Sequence, residues 1–234
     1  MGTPYADSYS PVNDTMYQQV TKWQGHTPYG WGRYFYDTSS LGSNQFYHPA
    51  TENSFFYGKT MRLLPIAEQS AHIQDDPTNY TLGKSDATSN LKAVLQAFNN
   101  DAVNFFKSGS DYWVAFALDC ESTNQGNLTT IFTDYLRGWI TGMEDGITDS
   151  SGRTLKGWHG VYSAQGDCIT WQTIVDLYNQ YGLRPKFVAM SSYIDPVGTT
   201  PPPAFPSWPT DNPYTTTDTV ACNHISIGQS TVLW

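Results

Sequence analysis

The stretch from residue 112 to 121, Tyr-Trp-Val-Ala-Phe-Ala-Leu-Asp-Cys-Glu, constrains the fold more than any other part of the chain. Its unbroken apolar run predicts a strand buried on both faces, as in a parallel sheet. Side chains alternate along a strand, so Asp119 and Glu121 share a face with Ala115 and Ala117, while Val114, Phe116, Leu118 and Cys120 take the other. Two carboxylates therefore stand together at the C-terminal end of a buried strand, the end where ligands and catalytic groups collect in parallel α/β architectures. Such a pair can divide acid and base work, because one group can be held protonated while its neighbour stays ionised. The competing reading of either acid is a solvated loop position or a cap on the next helix.

Around this strand, strand-like and helix-like segments alternate. A short strand over residues 5–7 ends in Asp7. A helix over 14–23 follows, with Asp14 as its expected N-cap. Strands are predicted over 32–37 and 62–68, the latter with Pro65 awkwardly inside it and Glu68 at its end. A weak helical stretch covers 51–57. The clearest helical period spans 85–107, with Leu91, Val94, Leu95, Phe98, Ala102 and Phe105 at spacings of three, four and seven. Further helices are expected over 128–143 and 169–181, the second stopped by Gly182, with strands over 158–162 and 185–190. Residues 196–213 hold seven prolines and no period, which predicts a long irregular loop. One more strand is expected over 222–229. About five βα units followed by helix-less strands, joined by right-handed crossovers, predict an α/β fold closed into a single TIM-like barrel over residues 1–234.

Composition narrows the ligand class. Charged residues make up 14% of the chain and aromatic residues 15%, with 16 Tyr and 8 Trp, which favours stacking surfaces over electrostatic ones. A net charge of −9 without any Lys/Arg cluster argues against nucleic acid. No apolar run is long enough to span a bilayer, and the N-terminal residues lack the charged-then-apolar pattern of a leader. Low Lys with abundant Ser, Thr, Asn, Tyr and Trp suggests a secreted or cell-surface protein whose leader is absent from this chain. Cys120, Cys168 and Cys222 define no disulfide framework. The histidines His26, His48, His72, His159 and His224 form no HxxxH or HxH pair, so neither metal nor cofactor is expected.

Asp7, Gly32-Arg-Tyr-Phe35, Leu64-Pro-Ile66, the Asp119-Cys-Glu121 triplet, His159-Gly-Val-Tyr162 and a late strand ending in Gln229 together resemble the lysozyme-like family-25 glycoside hydrolases. The similarity extends to the related glycoside-hydrolase-like domains of unknown function. The resemblance implies a barrel of five βα units completed by helix-less strands, lacking here its last strand, where those hydrolases carry another acid. It further implies cleavage of a β-linked, N-acetylated glycan such as peptidoglycan or another cell-wall polysaccharide. Glu121 would protonate the leaving oxygen, and Asp119 would orient the 2-acetamido group or steady the oxocarbenium ion. Asp7 would face the same pit and Tyr162 would donate a hydrogen bond there. Glu68 is expected to line the site or the surface, and Trp208, in the proline-rich loop, to stack on a sugar. The alternative is a non-catalytic carbohydrate-binding or surface-structural domain on the same barrel.

Overall fold

A computed structural model of the chain describes residues 5–59, 61–98, 106–121, 128–164, 167–191 and 232–233. In chain order its elements are β1 (Tyr5–Asp7), α1 (Asp14–Gln24), β2 (Gly30–Phe35), α2 (Pro49–Lys59), β3 (Arg62–Ala67), α3 (Ser70–Asp75) and α4 (Tyr80–Ala97). They continue as β4 (Phe106–Ser108), β5 (Asp111–Asp119), α5 (Thr133–Asp145), β6 (Ile147–Thr148), β7 (Thr154–Ala164), α6 (Cys168–Tyr181), β8 (Phe187–Ser191) and β9 (Val232–Leu233). The strands form one sheet in the order β1-β2-β3-β5-β7-β8-β9, parallel throughout, with β4 and β6 added antiparallel to β5 and β7. The architecture is mixed α/β, and the sheet is not closed among the described residues.

Strand parity divides the apolar residues into two clusters. Val114, Phe116, Leu118 and Cys120 of β5 and its extension join Trp31, Phe35, Leu63, Val161 and Val188 in the large core beneath the helices. Ala117, with Ala115 packed against it, joins Tyr34, Leu64, Ile66, Tyr162, Phe187 and Ala189 in a second, smaller cluster on the opposite face. The face expected to carry the acids is therefore not the helix-covered one.

Several boundaries differ from expectation for identifiable reasons. Asn13, not Asp14, caps α1, its Oδ1 accepting the Met16 N–H at 3.0 Å. The long helix starts at Tyr80, where Asn79 Oδ1 accepts the Leu82 N–H at 2.9 Å. It ends at Ala97, and the last part of the expected helix is instead β4, paired with β5 across Gly109 at φ +64°. α5 begins at Thr133, since the backbone of Phe132, at φ −121° and ψ 40°, is not helical. Pro65 is tolerated in β3 because pairing with β5 is confined to Ile66 and Ala67, beyond the proline. The expected loop over 196–213 and strand over 222–229 lie outside the described residues.

Helices α4 and α5 touch backbone to backbone. A Cβ on Gly83 would lie 2.2 Å from the Tyr135 carbonyl oxygen, and one on Gly138 would lie 2.0 Å from that of Tyr80. Glycine is required at both positions for the helices to approach.

A buried ion pair anchors the other end of the sheet. Arg33 on β2 and Glu52 on α2 are both fully buried, with Nε to Oε1 at 2.7 Å and Nη2 to Oε2 at 3.2 Å. Glu52 also accepts the Val12 and His48 N–H groups at 3.0 and 2.8 Å. The guanidinium donates to the carbonyls of Ser8, of Tyr9 and Gln45 at 3.0 Å each, and of Phe46 at 3.0 Å. One pair thus fixes the loops that follow β1 and β2. Removing one charge strands the other in the interior, so Glu52→Gln should cost about 3–5 kcal/mol in chemical denaturation. Lys59→Ala, which breaks the exposed pair with Asp14, should leave the midpoint unchanged.

Candidate active site

Because the main strands are parallel, Asp7, Phe35, Ala67, Asp119 and Ser191, which end β1, β2, β3, β5 and β8, lie at one edge of the sheet. Asp7 and Asp119 face the side opposite the helices, as does Tyr162, which pairs in register with Asp119. The Tyr162 hydroxyl donates to Asp7 Oδ2, joining β7 to β1 across that face. Glu68 follows β3 directly, with its N–H on the Phe35 carbonyl at 3.0 Å and its Oε1 accepting the Ser70 hydroxyl at 2.7 Å. Glu121 is half-buried, and its N–H donates to Asp119 Oδ1 at 3.0 Å.

The triplet that carries the two acids is held from behind. The Cys120 N–H donates to the Tyr162 carbonyl at 2.8 Å, and the Cys120 carbonyl accepts the Thr170 hydroxyl at 2.7 Å. Ser163 Oγ lies 2.9 Å from the same carbonyl and 2.7 Å from Asp167 Oδ2, so its single proton can serve either. Cys120 itself is a buried free thiol on the helix side, raised well above its usual pKa by burial.

Electrostatics show how closely the groups gather. Asp119 is 6% exposed, and burial raises its carboxyl pKa well above the ordinary value. The charges of Glu68, Glu121 and Asp7 add to that rise, with the Glu121 N–H opposing it. Asp7 keeps solvent contact, yet the protein crowding around it raises its pKa by desolvation, opposed by the Tyr162 hydroxyl and Arg33. Tyr34 and Tyr162, both buried, are raised first by desolvation and then by Asp7, Asp119 and Glu121 in common. Burial and the neighbouring carboxylates thus act together against the ionised form of Asp119.

Of the residues expected in a site, Asp7, Glu68, Asp119, Glu121 and Tyr162 come together here, whereas Trp208 and Gln229 lie outside the described residues. His159, from the same sequence motif as Tyr162, turns to the helix side and pairs with Glu144 at 3.1 Å. Tyr34 belongs to the site and drew no role from sequence; its parity with Gly30 and Gly32, opposite to Trp31 and Phe35, was the available signal. Among the described residues, no group of three or more His, Cys, Asp or Glu side chains is placed to hold a metal ion. Likewise among them, no helix is long and apolar enough to cross a membrane.

No protein-family model matches the chain, and no curated protein matches it. The chain is similar in fold to an uncharacterized B. stearothermophilus protein solved by crystallography at 1.07 Å. That likeness has a TM-score of 0.54 at 14% identity and covers 97% of this chain and 85% of the other.

The raised pKa of Asp119 has a testable sign. A folded-state pKa above the unfolded value stabilises the protein at low pH, and that contribution is lost as pH rises toward the folded pKa. Asp119→Asn mimics the protonated form. It should therefore raise the melting temperature at pH 7, by about 2–4 °C for each kcal/mol of relieved charge burial. The gain should fade toward the unfolded carboxyl pKa of about 4. A melting difference independent of pH would show that Asp119 is not crowded as described.

Proposed function

We propose that the chain is a glycoside hydrolase acting on a β-linked, N-acetylated glycan of the peptidoglycan kind, by proton transfer from a carboxyl group at this rim. The observation that carries the reading is the convergence of Asp7, Glu68, Asp119 and Glu121 with two tyrosine hydroxyls at the C-terminal ends of parallel strands. Their mutual repulsion provides what glycoside cleavage needs: a carboxyl that keeps its proton near neutrality beside one that has lost it.

In this scheme Glu121, half-buried and therefore within reach of a ligand, gives its proton to the glycosidic oxygen as the bond to the anomeric carbon breaks. The bonding electrons leave with that oxygen. Positive charge then develops on the sugar, facing Asp7, which the Tyr162 hydroxyl holds in place. Water, losing its proton to the Asp7 carboxylate, completes the substitution at the anomeric carbon, or the substrate's own acetamido oxygen bonds there first and water, losing its proton to the now ionised Glu121, then displaces it. Asp119, deeper and more strongly crowded, holds a proton beside Glu121 and orients the acetamido group.

The barrel expected from sequence is part of the same proposal. β1 and β7 stand four strand spacings apart along the sheet, about 19 Å if it were flat. That exceeds the joint reach of a tyrosine and an aspartate, so the Tyr162–Asp7 hydrogen bond supports a strongly curled sheet. A cluster that joins residues of β2, β3, β5, β7 and β8 on the uncovered face supports it too.

Reducing-end release from purified peptidoglycan and from N-acetylglucosamine oligomers tests the reading. Glu121→Gln should lower hydrolysis by about two to four orders of magnitude with the fold preserved. Glu68→Gln removes the largest charge acting on Asp119, so the basic limb of the pH–rate profile should move to lower pH. Absence of hydrolysis by the wild-type protein across these glycans, or an active Glu121→Gln, would defeat the proposal.

A further inference from the structure

Next to the acids stands an aromatic surface that the catalytic scheme leaves unused. Tyr9, in the loop after β1, is 39% exposed although its ring packs on buried Tyr34 at 5.0 Å and a 31° tilt. One face of the Tyr9 ring is therefore covered by Tyr34 while the residue as a whole stays exposed. Tyr34 beneath it feels Asp7, Asp119, Glu121 and Tyr9 alike, which makes it the link between ring and acids. Phe46, half-buried, pairs by backbone with Tyr34, and its ring lies 6.2 Å from that of half-buried Tyr36 at a 38° tilt.

These rings are not on free loops. Arg33 takes the carbonyl oxygens of both Tyr9 and Phe46 at 3.0 Å, and Glu52 locks Arg33. Spending a buried guanidinium on the backbone of two aromatic residues makes the surface rigid before any ligand arrives, and binding to a preorganised surface costs less ordering entropy. Tyr9 is two residues from Asp7, so their Cα atoms are at most about 7 Å apart. That is about the width of one sugar ring.

We propose that Tyr9, backed by Tyr34 and flanked by Phe46, is the stacking platform of a sugar subsite adjoining the acids, occupied by a neutral pyranose of the glycan chain. Among the described residues carboxylates dominate this rim and repel anionic ligands such as a phosphate or sulfate. A pyranose presents an apolar C–H face to an aromatic ring and equatorial hydroxyls to acceptors beside it, the combination this corner supplies. The inference rests on the proposed glycan reading and adds to it the residue that positions the chain.

The test is calorimetric binding of N-acetylglucosamine tetramer and pentamer to the Glu121→Gln protein, which cannot turn them over. Adding Tyr9→Ala should weaken binding by about tenfold or more, whereas Tyr9→Phe and Tyr9→Trp should stay within about threefold, since stacking needs the ring and not the hydroxyl. In the otherwise native enzyme, Tyr9→Ala should raise KM with kcat nearly unchanged. Should the alanine variant melt early, the Tyr9→Trp protein decides: its added fluorescence must shift on titration with the tetramer, and an unshifted spectrum overturns the platform. Unaltered affinity in a folded Tyr9→Ala protein overturns the platform while leaving the hydrolase reading intact. A folded parent protein that binds neither oligomer removes both.

Discussion

The buried Arg33–Glu52 pair is the interaction on which the arrangement of the rim depends. Neither charge touches water, and each is matched: Glu52 by two backbone N–H groups besides the guanidinium, Arg33 by four carbonyl oxygens besides the carboxylate. A lysine could not replace Arg33, because only the planar fork addresses a carboxylate on one side and two separate loops on the other. Replacement of a buried pair by apolar groups is often neutral for stability, so stability alone does not account for its presence. What an apolar substitute would lose is the backbone grip on residues 8, 9, 45 and 46, the loops that place Asp7 and the aromatic corner.

The acid cluster opposes that order. Asp119 is buried with three other carboxylates acting on it, while the groups facing it across the rim are tyrosine hydroxyls that are themselves hard to ionise. Charge gathered this way, offset only in part by Arg33 at Asp7, destabilises the folded state, and perturbed carboxyls of this kind concentrate at functional sites. The support is placed behind the acids: the Cys120 carbonyl is held by Thr170 and its amide by Tyr162, so the strand end cannot splay to relieve the repulsion.

Much of this was legible in the chain because the informative pattern was short-range. The alternation from Val114 to Glu121 fixed which side chains share a face, and the succession of strand and helix signals fixed that Asp7 and Asp119 end strands at one edge. What stayed hidden depended on partners far away in sequence. Tyr34 reads as one more core aromatic until Asp7 and Asp119 are placed beside it. The role of Glu52 is invisible in a weak helical stretch, since its value comes from Arg33, 19 residues earlier. The apolar periodicity through Phe105 read as helix up to Lys107, and a two-residue hairpin at Gly109, which pairs residues 106–108 with β5, overrode it there. The role expected of Trp208 awaits residues beyond those described.

Steric layering on the face opposite the helices explains why the acids point outward. Below the rim, one registered row runs Ile66, Ala117, Gly160, Phe187, with large residues at the ends and small ones between. The Phe187 ring fills the space over Gly160, where an added Cβ would come within 2.3 Å of it. At Gly32 a Cβ would meet Ile66 at 2.7 Å and the Cβ of Asp7 at 2.9 Å. Side chains thus fill the space directly beneath Asp7 and beneath the Asp119–Tyr162 row. Among the described residues, the carboxyl groups of Asp7 and Asp119 have packed side chains directly below them. Their remaining freedom is toward the open edge, where Asp7 and Glu121 retain solvent contact and Tyr9 stands exposed beside them. A face packed this way directs its polar groups toward the open edge, where burial and the neighbouring carboxylates together favour the protonated form of Asp119.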